Sequence, residues 1–219
     1  MDTAFWGSTK SVKKGCQPLK NRLIPALWAA LVLLLTVLLT ALALWCQPND
    51  MEEVIASFQE KPVLYALNAL PVGLLVAGAS FLFRNAFFGA AVVNAVVGTL
   101  SIANRLKIEI RDEPVFPRDL ALWKEVGGAM GAYHITPPVP EILAVAGATL
   151  ALFALGVMTA PRRKRRKAKR VLRDLRRSLG GAFVCFALLS GLIVTVYASD
   201  ELYDSLKTSS PYRLSVVFN

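Results

Sequence analysis

Five apolar runs, at residues 23–46, 63–83, 86–104, 139–160 and 179–198, constrain this chain more than any other feature. Each approaches or exceeds the roughly 20 residues that a helix needs to cross the hydrocarbon core of a bilayer. None carries a charge in its middle. In lipid, backbone N–H and C=O groups must be satisfied within the chain, and these runs lack the alternation of strands, so all five are predicted as helices. Composition agrees: 55% of the 219 residues are hydrophobic and only 18% charged, which excludes an ordinary soluble domain.

The few charges are biased, with 25 Lys and Arg against 15 Asp and Glu. Cytoplasmic loops concentrate Lys and Arg, so their placement predicts orientation. With the N-terminus inside, seventeen fall on the cytoplasmic side: five in the N-terminal tail, Arg84 after the second run, and eleven in "PRRKRRKAKRVLRDLRRS". Eight fall outside. The expected fold is therefore an all-α membrane protein, a five-helix transmembrane bundle with the N-terminus inside and the C-terminus outside. Residues 1–22 form a basic cytoplasmic tail, 23–200 the membrane domain, 161–178 a polybasic cytoplasmic loop and 201–219 an extracellular linker. The first run could also be read as a cleaved signal peptide, but it exceeds the roughly 7 to 15 apolar residues of a signal h-region, which favours a retained anchor.

The basic run "RRKRRKAKR" would suggest nucleic acid in a soluble protein. Leaving a membrane helix directly, it reads instead as a topology determinant resting on anionic headgroups, each cation contributing about 1 kcal/mol, and no nucleic-acid partner is expected. Beyond it "VLRDLRRSLGG" restarts a helix, with Val171, Leu172 and Leu175 toward the interface and Arg173, Arg176 and Arg177 toward water. Cys16, Cys46 and Cys185 are too scattered for a disulfide framework, and the single His134 reads as a loop or interfacial residue rather than a metal ligand.

Apolar helices in lipid associate through close backbone approach, so small residues are informative. Ala86, Ala90, Asn94 and Gly98 recur at intervals of four, a packing face, and Asn94, Gly98, Ser101 and Arg105 continue as a polar line toward the outer surface. Asn68 and Pro71 add polar capacity in the second run, since proline leaves one carbonyl without its helical donor. Hydrogen bonding between helices is the favoured account; a ligand path is the alternative.

The segment 105–138 is expected to be an external interfacial hairpin. "LKIEIR" alternates apolar and charged residues and reads as extended, Pro114 and Pro117 keep the chain out of helix, and Asp119 caps a helix lying flat in the interface. Trp123 and Tyr133 are its interfacial anchors, and Gly127, Gly128 and Gly131 weaken it. This hairpin holds Arg105, Lys107, Arg111 and Arg118 at phosphate height.

The five-helix topology and the pattern Asn104, Lys107, Arg111, Pro114 running into "PRDL" resemble the N-terminal membrane domain of the lipoteichoic acid synthase family, bacterial phosphoglycerol transferases with a sulfatase-like extracellular domain. The tail "SPYRLSVVFN" is similar to that family's exit into the linker before the catalytic domain. The resemblance covers the chain but only the membrane half of the family. It implies a multi-pass protein of the bacterial cell membrane that anchors the catalytic domain and presents a phosphatidylglycerol-type lipid or growing cell-wall polymer at the outer leaflet. The family's threonine nucleophile and manganese-type metal site have no counterpart here, so no catalytic residue, metal ligand or cofactor is assigned to this chain, and no catalysis is expected from it alone. The partners implied are anionic phospholipid and a sulfatase-like domain in trans or lost by truncation.

Asn94, Asn104, Arg105, Lys107, Arg111 and Arg118 are the candidate lipid- or phosphate-binding residues, guanidinium groups being suited to grip phosphate by a two-pronged fork. The plainer reading is that Arg105 and Lys107 snorkel while Arg111, Asp112, Glu113, Arg118 and Asp119 pair among themselves. A small transporter subunit and a non-enzymatic assembly protein are the competing functions.

Overall fold

A computed structural model describes residues 18–47, 55, 59, 62–111, 137–160 and 168–197. Five helices account for nearly all of these: α1 (Pro18–Trp45), α2 (Pro62–Phe83), α3 (Ala86–Arg111), α4 (Val139–Thr159) and α5 (Ala168–Leu192), the last continued by a π-helical turn, Ile193–Tyr197. Each contains a span long and apolar enough to cross a membrane, from 19 to 24 residues. The protein is a multi-pass membrane protein, all-helical over the described residues.

Contacts between helix ends establish an up-and-down arrangement. Trp28 near the start of α1 stacks on Phe81 near the end of α2, their ring centroids 4.9 Å apart. Asn104 late in α3 meets Gln47 just beyond α1, so α1 and α3 run the same way. Helices α2 and α3 lie at the centre. Helix α5 packs on α2, α4 packs on α3, and α1 covers the seam between α2 and α3.

The core follows from that order. Val32, Leu35 and Leu39 of α1, Val72, Val76 and Ala79 of α2, and Ala86, Ala90 and Val93 of α3 form one buried cluster. Outward-facing residues are equally apolar: Leu33, Leu143, Leu150, Met158, Phe183 and Val194 are all more than half exposed, as expected where lipid rather than water is the solvent.

Close approach is set by glycine at most seams. A Cβ on Gly73 would touch the Thr36 side chain of α1, one on Gly98 would lie 2.6 Å from a Val145 methyl of α4, and one on Gly181 would meet the Phe81 ring. The tightest place is Gly89, where a Cβ would lie 2.5 Å from the backbone nitrogen of Ser80. The expected packing face is present, since Ala86, Ala90, Asn94 and Gly98 are all buried. A step of four residues advances 400°, so the line drifts about 40° per step. Ala86 and Ala90 therefore serve the cluster with α1 and α2, while Asn94 and Gly98 meet α4.

One expectation is corrected. The stretch Leu106 to Arg111 is not extended: α3 runs on through it to Arg111, 26 residues in all. Six alternating residues are a weak strand signal, and continuing an existing helix gains a hydrogen bond for each residue ordered without a new nucleation cost. At 1.5 Å per residue α3 is about 39 Å long, about 9 Å more than the hydrocarbon core. The helix expected in the interface with Trp123 and Tyr133, the residues 112–136 around Arg118, and the expected tail and linker at 1–17 and 201–219 lie outside the described residues. Helix α5 starts at Ala168, so "VLRDLRRSLGG" and the fifth apolar run form one continuous helix, with Leu175, Arg176 and Arg177 exposed.

Candidate functional site: a polar cluster at one end of the bundle

The ends of α1 and α3 and the start of α4 come together at one end of the bundle and bring polar residues with them. Helix α1 stops where Gln47 N donates to Leu44 O at 3.1 Å, a tight last turn that places Cys46 and Gln47 inside the bundle. Asn104 Nδ2 donates to Gln47 Oε1 at 2.9 Å, and both side chains are buried. Each amide thus gives the other a partner in a place where an unpaired one would cost a few kcal/mol.

Arg105 faces the other way, toward α4. Its Nε donates to Glu109 Oε1 at 2.9 Å, one turn further along α3, and its terminal nitrogen donates to Glu141 Oε1 at 2.6 Å. Glu141 lies in the first turn of α4, after Pro138 and Pro140, where the positive end of the helix dipole favours a carboxylate. Its side chain is 12% exposed, so the arginine supplies the charge compensation that burial demands. The guanidinium is shared by two carboxylates and acts first as a clasp between α3 and α4.

Asn94 is a clasp of the same kind deeper in the bundle. Its Nδ2 donates to Val145 O at 3.1 Å and to Thr149 Oγ1 at 2.9 Å, using both amide hydrogens on α4. Asn94, Gly98 and Arg105 all meet α4, so the polar line foreseen in the sequence is a helix–helix seam. Asn85 is a third bridge. Its Oδ1 accepts from Phe87 N at 2.9 Å and Phe88 N at 3.4 Å, capping α3, while its Nδ2 donates to Gly156 O and Thr159 Oγ1 at the end of α4.

The remaining candidates are placed by α3's extension. Because the helix continues to Arg111, positions 104, 107 and 111 fall at spacings of three and four and share one face. Lys107 is half-buried and engaged within the protein. Arg118 lies outside the described residues.

The polar groups of the cluster are engaged largely with one another. Cys46 is fully buried beside it, and burial pushes its thiol up to about 11, with Glu141 adding to the rise and Arg105 opposing it. A thiol held protonated at neutral pH is no nucleophile. Among the described residues no group of three or more His, Cys, Asp or Glu could hold a metal ion.

Sequence reading missed Gln47, Asn85, Glu109 and Glu141. Glu141 carried a signal, an acidic residue directly after a Pro-x-Pro helix start, and Asn85 sat at the cap position of a helix following a turn. Gln47 had none. No protein-family model matches the chain, and neither curated proteins nor solved structures match it.

Proposed function

We propose that this chain is the membrane-anchoring half of a lipoteichoic acid synthase-like phosphoglycerol transferase, holding a phosphatidylglycerol-type lipid at the outer leaflet of a bacterial cell membrane for an extracellular catalytic domain. The observation that carries the reading is the helical continuation of α3. It puts the motif positions Lys107 and Arg111 on the same face of α3 as Asn104, beyond the turn at which Asn104 and Arg105 clasp α3 to α1 and α4. Cations at that height meet lipid phosphate with their apolar stems still in the hydrocarbon edge. The excess of Lys and Arg at the opposite end supports an N-terminus inside and this cluster outside. Against the transport alternative, whose path would be Asn68, Asn94 and Ser101, weighs that Asn94 gives both its amide hydrogens to α4.

A photoactivatable phosphatidylglycerol in vesicles containing the full chain tests the site. Adducts should map to residues 104–111 and fall in the Lys107→Ala/Arg111→Ala double variant; undiminished adducts there would remove these residues from the role. The coding sequence after Asn219 and its neighbouring frames test the partner. A sulfatase-like domain there is expected, and its absence alongside intact lipid adducts would leave a lipid-holding protein without the transferase.

A further inference from the structure

The opposite end of the bundle carries a second arrangement that the proposed function does not use. Helices α2 and α3 are joined by two residues, Arg84 and Asn85, and Arg84 has φ 58°, the only positive φ at a non-glycine among the described residues. The left-handed region is costly for a side chain with a Cβ, and glycine occupies it freely. An arginine in that turn therefore puts a guanidinium, at a conformational cost, where the end of α2 meets the start of α5.

That meeting is closely held. The Ser178 hydroxyl of α5 donates to Phe81 O, one of the last carbonyls of α2, and Gly181 admits the Phe81 ring. Arg84 N donates to the same carbonyl at 3.3 Å. The contact brings position 177, next to Ser178, to within about one helical turn of the height of Arg84. Both arginines are exposed, as are Leu82, Phe83 and Leu179 beside them, at 49, 47 and 49%. Cations at the edge of a membrane span, bordered by apolar side chains on the hydrocarbon side, match a phosphodiester with acyl chains attached rather than a free anion.

We propose that Arg84 and Arg177, on either side of the α2–α5 seam, form a docking site for the phosphodiester of an anionic phospholipid in the leaflet at that end of the bundle. The site is separate from the 104–111 face and does not depend on it. It is also distinct from diffuse attraction to the basic loop. Position 176 lies about 160° around α5 from Ser178, so it faces away from the seam and provides a control matched in charge to position 177.

The test is native mass spectrometry of the full chain carrying Lys107→Ala/Arg111→Ala, which removes the other proposed phosphatidylglycerol site, released from detergent in the presence of phosphatidylglycerol or phosphatidylcholine. This background should retain phosphatidylglycerol in preference to phosphatidylcholine. Adding Arg84→Gln/Arg177→Gln should lower that retention about tenfold, the loss of one or two charge-assisted hydrogen bonds. Adding Arg176→Gln should lower it less than adding Arg177→Gln, which removes the same charge. Adding Arg84→Gly keeps the turn in its preferred conformation, so the melting temperature should hold or rise while lipid retention falls. Equal losses on adding Arg176→Gln or Arg177→Gln would overturn the site in favour of charge alone. Undiminished retention on adding Arg84→Gly would overturn it outright.

Discussion

Replacing Gly89 by alanine tests whether glycine sets the spacing of the two central helices. The new Cβ would lie 2.5 Å from Ser80 N, 2.7 Å from Ser80 Cα and 2.8 Å from Ala79 C, all backbone atoms of α2 that cannot rotate aside. Ordinary contact begins near 3.4 Å, so α2 and α3 must part locally by nearly 1 Å. A gap of 0.5–1 Å forfeits roughly a quarter to a half of each dispersion contact it opens. Overpacking of this kind costs about 1–3 kcal/mol, and the rigid backbone on the other side favours the upper part of that range. Alanine's better helix propensity returns up to about 1 kcal/mol, leaving a net loss of about 1–2 kcal/mol. Gly147→Ala is the matched control, because nothing lies within 4 Å of its Cβ position and only the propensity gain applies. Reversible denaturant unfolding in mixed micelles would give both values. Equal stabilities for Gly89→Ala and Gly147→Ala would refute the claim that this approach is as close as it is.

Three further outcomes are expected. Asn94→Ala removes both hydrogen bonds to α4 and should destabilise by about 1–2 kcal/mol in the same assay, the upper range for interhelical hydrogen bonds in membranes. Thr40→Val should be neutral or stabilising by about 1 kcal/mol, because the Thr40 hydroxyl is buried without a partner; Thr36, which donates to Val32 O at 2.8 Å, gives no such gain on the same change. Cys46, with its thiol raised from 9.0 to about 11, should resist a maleimide at pH 8 in the folded protein. The folded state then holds a proton that the unfolded state releases, so the contribution is complete below pH 9 and is lost as pH rises toward 11. Unfolding measured across that interval should show a steeper fall in wild type than in Cys46→Ala.

Both proposed lipid sites depend on arginine or lysine at a membrane edge, yet they differ in what holds them. Arg105 is fixed by Glu109 and Glu141, which braces the α3–α4 junction at the 104–111 end. At the other end the bracing is backbone geometry, with Phe81 O accepting from both Arg84 N and the Ser178 hydroxyl. The first depends on ionised carboxylates and the second does not.

Sequence alone determined the number of helices and their approximate places, because a bilayer tolerates few other backbone solutions and runs of this length have one reading. It also determined the packing face Ala86, Ala90, Asn94 and Gly98, since residue size at a four-residue interval is a local property. Which neighbour each of those residues met was not legible: the 40° drift that sends Ala90 to α1 and α2 but Asn94 to α4 acquires meaning only once α4 has a position. The end of α3 went the same way. Alternation at Leu106 to Arg111 favoured an extended chain, and the outcome was decided by cooperative helix growth together with Glu141, a partner 36 residues away from Arg105. Periodicity along one segment reports the solvent it expects on each side. Tertiary structure decides what takes that place, because a hydrogen bond or a close contact needs two surfaces and the sequence displays them one at a time.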